Sequence, residues 1–343
     1  MSEGREWASR LEQLGLAVRR HVVGLSDSEG VDLALPVAFE GGDTVFALDR
    51  LVEPVITREI DLWPPDFKPL LLIAEGLGTD GRRLFGDADG PPRFRLIVDP
   101  IDGTRGLMYD KRSAWFLAAV ARDRGDKTGL AETFAAAMVE LPTSKQLWCD
   151  SYVATTQEAT RGRRSKVLGD DPRPLPVRPS AASSLEFGFA QVANFFPGTK
   201  VLAAELMERI VAETLGSVQP GQGLVFDDQY LSSGGQMAEL MSGHDRFCCD
   251  LRPLFHDIRE NDSGKGSGRA VRGLECHPYD LAGWLAARQA SVLITDGFGD
   301  PLDCPLDVHT GVHWCGYANA RIAQQVQPVI ARWLQEHKIS RRG

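Results

Sequence analysis

The stretch FRLIVDPIDGT, Phe94 to Thr104, decides how this chain is read. FRLIVD (94–99) is a mostly apolar run ending in an acid, the pattern of a buried strand. PIDG follows as a turn, and Asp99 and Asp102 straddle it, three residues apart. Pro100 fixes the chain direction there, and Gly103 permits a backbone conformation that other residues avoid. In such a turn both carboxylates can face one point, with the Ile101 carbonyl beside them. Hard oxygen donors of this kind suit Mg²⁺ or Mn²⁺. The Gly103 and Thr104 amides can then present N–H groups to an anion, as helix N-termini do.

Taken alone, D-x-x-D-G is also the pattern of a surface turn whose acids cap local N–H groups. An EF-hand fits poorly, because its loop needs acids at alternate positions and a Glu at the twelfth, where this chain has Asp110. A haloacid-dehalogenase-type phosphatase places its second Asp two residues after the nucleophile, and here the gap is three.

The chain around this turn has 343 residues, of which 43% are apolar and 25% charged, an ordinary globular composition. That length suggests two domains or one large two-lobed unit. Lys and Arg number 38 against 47 Asp and Glu, a net charge of −9. The acidic balance argues against a nucleic-acid or membrane-surface binder. It leaves phosphorylated substrates open, because bound cations reverse the local sign. The six cysteines contain no C-x-x-C pair and read as reduced cytosolic thiols. The start, MSEGREWASR, is too polar for a signal peptide, and the longest apolar run, Ala114 to Ala121, is too short to span a bilayer. A cytoplasmic protein is expected.

Outward from the turn, Trp7, Leu11, Leu14, Val18 and Val22 recur at helical spacing over 5–23, and TVFALDRLVEPVITREI (44–60) reads as a second helix, bent near Pro54. LLLIA (70–74) and SAWFLAAVA (113–121) read as buried strands, with a loop or loose hairpin over 76–92. RGRRSKVLGDDPRPLPVRPS (161–180) carries four prolines and is expected to separate an N-terminal lobe (1–165) from a C-terminal lobe (180–343). In the second lobe a strand is expected at 185–190, helices at 199–214, 232–243 and 319–336, a strand-like run at RFCCDL, and a strand at 291–296. Alternation of strands and helices in both halves makes the class α/β or α+β.

DPIDGT (99–104) resembles the first signature of the inositol monophosphatase superfamily, the lithium-sensitive, Mg²⁺-dependent sugar and nucleotide phosphatases. Other segments agree in order. Asp49 and Glu53 in FALDRLVEPVI match an early D-x-x-x-E helix, and Glu75 in LLLIAEG stands directly after a strand. HPYDLAGW resembles the second signature, usually W-D-x-A-G, with Asp280 at the last metal ligand. GYANARIAQQV is similar to the family's final strand, Asn turn and helix.

The resemblance implies a layered αβαβα sandwich of two lobes with the site between them. Glu75, Asp99, the Ile101 carbonyl, Asp102 and Asp280 would bind two or three Mg²⁺ ions, Mn²⁺ being an alternative. Thr104 with Glu75 would orient the attacking water, with Asp49 nearby, and Asp102, Gly103 and Thr104 would meet the substrate. Arg105 is not a family residue, but as a long cation next to the site it is expected to contact the substrate as well. The implied activity is hydrolysis of a small phosphate monoester of an inositol, sugar or polyol by water, with no phosphoenzyme. A 3′(2′),5′-bisphosphate nucleotidase and a catalytically silent metal-binding scaffold are the alternatives. Family members are often homodimers, so a homodimer acting on a small phosphorylated metabolite is expected.

The chain also departs from the family. Gly76 stands where a second acid is common, Arg105-Gly106-Leu107 follows the first signature, and Tyr279 replaces the Trp of the second. The segment 244–277 is longer than the usual link and carries His244, His256, His277, Arg252 and Arg272. A surface excursion is the default reading, with a substrate-specific lid or an oligomer contact as the alternatives. His256 and His277 lack zinc-site spacing. GLGTDG (76–81) fits a dinucleotide fingerprint by chance, since the next residues, RRLFGDADGPP (82–92), cannot open a helix.

Overall fold

The computed structural model describes residues 2–26, 35–40, 43–77, 80–86, 90–167, 169, 171–217, 220–262 and 272–341. Helix α1 (Glu3–Ser26) is followed by the antiparallel pair β1 (Pro36–Glu40) and β2 (Asp43–Phe46), then helix α2 (Ala47–Asp61). Strands β3 (Leu70–Ala74), β4 (Arg82–Phe85) and β5 (Phe94–Asp102) lead into the short helix α3 (Thr104–Met108). Strands β6 (Ala114–Arg122), β7 (Thr133–Leu141), β8 (Trp148–Thr155), β9 (Glu158–Lys166) and β10 (Arg173–Leu175) complete an eight-stranded sheet. Its order is β10-β9-β8-β7-β6-β5-β3-β4, antiparallel except where β3 lies beside β5.

The second half contributes β11 (Gly188–Val192), α4 (Lys200–Leu215), β12 (Val225–Phe226), α5 (Ser233–Ser242), β13 (Asp245–Asp250) and α6 (Arg252–Asp262). A 3₁₀ turn at Tyr279–Leu281 precedes α7 (Trp284–Gln289), β14 (Leu293–Thr295), β15 (Trp314–Tyr317) and α8 (Ala320–Glu336). These strands form a five-stranded sheet in the order β12-β11-β13-β15-β14.

Burial explains the stacking. The run Ala114–Ala121 is apolar throughout because β6 is covered on both faces. Phe116, Ala118 and Val120 face one core with Trp7, Leu11, Leu14, Val18 and Val22 of α1 and with α2. Trp115, Leu117 and Ala119 face another, shared with α5, α7 and one side of the smaller sheet. Phe247, Cys249 and Tyr317 point the other way, into a third core with α4, α6 and α8. The layers are therefore helix, sheet, helix, sheet, helix, the αβαβα arrangement expected. Burying each large apolar side chain of α1 contributes roughly 1.5–3 kcal/mol.

Three local expectations change. Thr44–Phe46 belong to β2, so α2 begins at Ala47, and it runs through Pro54, which lies on its exposed side. The basic stretch after 160 is not a bare linker: residues up to Lys166 continue β9 and Arg173–Leu175 form β10. Its arginines are legible as strand residues in hindsight, since Thr160 and Gly162 are buried while Arg161 and Arg163 face outward. The segment after 244 is not a surface excursion. It supplies β13, in the middle of the smaller sheet, and α6, whose Leu254, Phe255 and Ile258 are buried. Residues 263–271 of that segment, and Gly78 and Thr79 of GLGTDG, lie outside the described residues; Gly81 leads into β4, not a helix.

Candidate active site

Asp99 and Asp102 sit at the end of β5, where the chain is bulged. Asp99 lies opposite Leu117 of β6 and Asp102 opposite Trp115, so three steps on β5 match two on β6. Residues three apart on a regular strand point to opposite faces. The extra residue restores the same face, and this is why two acids at that spacing meet. The Ile101 N–H donates to Asp99 Oδ1 at 2.9 Å and closes the turn. Gly103 follows at φ 98°, where a side chain would also press on the Leu231 carbonyl, so glycine is required there.

Glu75 arrives by strand pairing. β3 runs parallel to β5 with Ala74 beside Val98, which sets Glu75 at the same strand end as Asp99. Asp280 comes from the other lobe, on the 3₁₀ turn that packs against β5, β6 and α5. Its Oδ2 accepts the His277 N–H at 2.5 Å. One oxygen each of Asp99, Asp102 and Asp280 lie within 4.8 Å of one another. Asp49 caps the start of α2 by accepting the Phe46 N–H, and its other oxygen lies 2.9 Å from the Thr104 hydroxyl.

Asp102 is cradled by the start of α5. It accepts from the Ser232 hydroxyl at 2.9 Å, the Ser233 N–H at 3.3 Å and the Gly234 N–H at 2.5 Å. The helix N-terminus favours a negative charge there. Burial works against it. Asp102 is pushed up to about 8 by desolvation and by the Asp280 charge, and Asp280 up to about 6 by desolvation. Asp99 is raised well above the carboxylate range by desolvation and by the charges of Asp102, Glu75 and Asp280. Clustered, buried carboxylates of this kind hold protons unless a cation replaces them. The donor set is oxygen only, which fits Mg²⁺ or Mn²⁺.

All of the expected site residues, Asp49, Glu75, Asp99, Ile101, Asp102, Gly103, Thr104, Arg105 and Asp280, line one cleft between the lobes. So do several that the sequence did not single out: Phe195, Phe196, Ser232, Ser233 and Glu275. The SSGG stretch at 232–235 was the available signal, since Gly234 leaves room for its amide to reach Asp102. Arg252 also lines the cleft. Arg272 does not: Asp257, Glu260, Glu275 and the Pro253 carbonyl hold it outside.

No protein-family model matches the sequence, and no curated protein matches it. Solved structures do match. The extragenic suppressor protein suhB from Bartonella henselae superposes with a TM-score of 0.60 at 15% identity, over 94% of this chain and 97% of that one. An inositol monophosphatase from Anabaena (Nostoc) sp. PCC 7120 gives 0.58 at 12%, over 97% of each. The Thermotoga maritima IMPase TM1415 gives 0.56 at 15%, over 98% and 100%. The chain has the inositol monophosphatase fold, with a three-carboxylate cluster in its inter-lobe cleft. No helix among the described residues is long and apolar enough to cross a membrane.

Proposed function

We propose that this chain is a Mg²⁺-dependent phosphomonoesterase of the inositol monophosphatase superfamily, hydrolysing a small inositol, sugar or polyol phosphate. The observation that carries the reading is the convergence of Asp99, Asp102 and Asp280 within 4.8 Å in the cleft of that fold. With Glu75 and the Ile101 carbonyl they would hold two or three ions. When bound, such ions neutralise the phosphoryl oxygens and lower the pKa of the attacking water.

The chain's own groups supply the orientation. The Thr104 hydroxyl has one proton and two acceptors in reach, Asp49 Oδ1 at 2.9 Å and the Ile101 carbonyl at 2.8 Å. It gives the proton to one of them and keeps its lone pairs for an incoming donor. A water beside Thr104 and Glu75 is thereby oriented by two acceptors, and Glu75 takes its proton. The Gly103 and Thr104 amides hold the phosphate, with Asp102 and Arg105 at its side. Attack is direct, so no phosphoenzyme forms. The six free, buried cysteines support a cytoplasmic setting. The homodimer rests on the family resemblance and is tested by sedimentation.

Purified protein with Mg²⁺ is expected to release phosphate from a panel of inositol, sugar, polyol and nucleotide monoesters, and Asp99→Asn to abolish the release. No release across the panel with Mg²⁺ binding intact overturns the reading in favour of a silent metal-binding scaffold. Preference for a 3′-phosphorylated nucleotide moves it to a bisphosphate nucleotidase.

A further inference from the structure

Beside the carboxylates the cleft is lined by alternating aromatic rings and guanidinium groups. Phe195 and Phe196 follow β11 with ring centres 6.2 Å apart at 80°. The Arg252 guanidinium lies 5.3 Å from the first ring centre and 5.5 Å from the second. Arg105 lies 5.3 Å from both Phe46 and Phe196. A neutral polyol needs acceptors and donors spread over its hydroxyls. A planar guanidinium held between aromatic faces matches a carboxylate or a phosphate instead.

Arg252 is 7% exposed, and its position is fixed from within its own segment. Its Nε lies 2.9 Å from both Asp250 oxygens, its Nη2 donates to Asp250 Oδ2 at 2.5 Å, and its Nη1 donates to the Leu274 carbonyl at 3.1 Å. A guanidinium has five N–H donors. One on each terminal nitrogen is left without an acceptor among the described residues. Asp250 neutralises much of the charge, so what remains for a ligand is a pair of directed donors on a rigid fork. The fork lies close enough to Asp280 for its charge to act on that carboxylate. A salt bridge that served folding alone would not need a place in the cleft wall, since its partner is only two residues away.

We propose that Arg252 is a specificity residue that reads a second acidic group, a carboxylate or a phosphate, on the part of the substrate that leaves. That the first phosphate is cleaved and the bearer of the second group leaves rests on the phosphatase reading above; the contact of Arg252 with an acidic group does not.

The test is calorimetric binding of two matched pairs to the full chain in Ca²⁺, with phosphate release followed in parallel in Mg²⁺. The first pair is 3-phosphoglycerate against glycerol 3-phosphate, and the second is fructose 1,6-bisphosphate against fructose 6-phosphate. In at least one pair the doubly acidic ester is expected to bind about tenfold tighter or more, the worth of a charge-assisted hydrogen bond. The pair that responds tells carboxylate from phosphate. Arg252→Gln should bring that ratio to within about threefold of one. Because this variant leaves Asp250 buried without its partner, Asp250→Asn with Arg252→Gln is measured beside it, and melting temperatures report folding. Ratios near one in the wild type for both pairs overturn the proposal, as does a preference that survives in the double variant. If the variants unfold, the wild-type ratios decide alone. A preference without phosphate release from these esters supports the second contact, and the phosphatase reading falls only if the full panel of monoesters also gives no release.

Discussion

The Gly234 N–H donates to Asp102 Oδ2 at 2.5 Å, joining the first turn of α5 to the end of β5 across 132 positions of sequence. This bond ties the two lobes together at the carboxylate cluster. It depends on the missing side chain, since a Cβ on Gly234 would stand 2.5 Å from Leu117 Cδ2 and 2.9 Å from Asp102 Oδ2. Gly234→Ala should therefore cost about 1–3 kcal/mol of stability, the usual range for overpacking. It should also lower phosphate release at least about tenfold, since a misplaced ligand costs catalysis more than folding. Urea melts and phosphate assays on the same preparation check both.

Mg²⁺ and Mn²⁺ should stabilise the protein and EDTA should reverse the effect. A ligand at a hundred times its Kd adds about 2.7 kcal/mol. Asp280→Asn should remove most of the shift, because it withdraws the one cluster oxygen that the second lobe supplies. Thermal melts against metal concentration measure it.

The Thr104 hydroxyl is predicted to act on rate and not on folding. Thr104→Val keeps the shape and removes the group shared between Asp49 and Ile101. Its kcat should fall by about a hundredfold, the scale of losing the orientation of a reacting group, while the Mg²⁺-induced shift in melting temperature persists. Thr104→Ser should keep most of the rate.

Asp245, remote from the cluster on β13, carries a pH signature. It is buried, with one long contact of 3.4 Å from the Gln191 amide, and is pushed up to about 7 by desolvation and by Glu239. Asp228 raises it as well and Arg112 opposes them. Its folded pKa lies above the unfolded value, so the folded state binds the proton more tightly. That stabilisation is complete below about pH 4 and is lost as pH rises toward 7. Asp245→Asn should match the wild type near pH 4 and exceed it at pH 8, by roughly 1–3 kcal/mol. Urea unfolding across pH measures the difference.

Much of the cluster was legible in the sequence because its parts are local. DPIDGT carries two of the clustered carboxylates, a carbonyl, a proline and a glycine within one turn, and LLLIA marks the neighbouring strand that delivers Glu75. The second half was harder. DRFCCD and RPLFHDIREND look half polar, yet they fill the middle of a sheet and one side of a core, because a strand or helix buries only the face it turns inward. A buried arginine such as Arg252 leaves no hydrophobic trace at all. Its burial is tolerated through pairing with Asp250, and pairing depends on geometry that composition does not carry. Phe195 and Phe196 were invisible as cleft residues for a similar reason, since apolar side chains read first as core.

Bonded neighbours and side-chain periodicity settle the local devices: the turn that holds Asp99 and Asp102, the Gly103 conformation, and the alternation of helices and strands. All of these can be read along the chain. Packing in three dimensions alone brings Asp280 to those acids, sets Gly234 against Asp102, and stands Arg252 beside them. Those contacts join segments far apart in the chain, and they exist because two sheets bury opposite faces against the shared helix layer of α5 and α7.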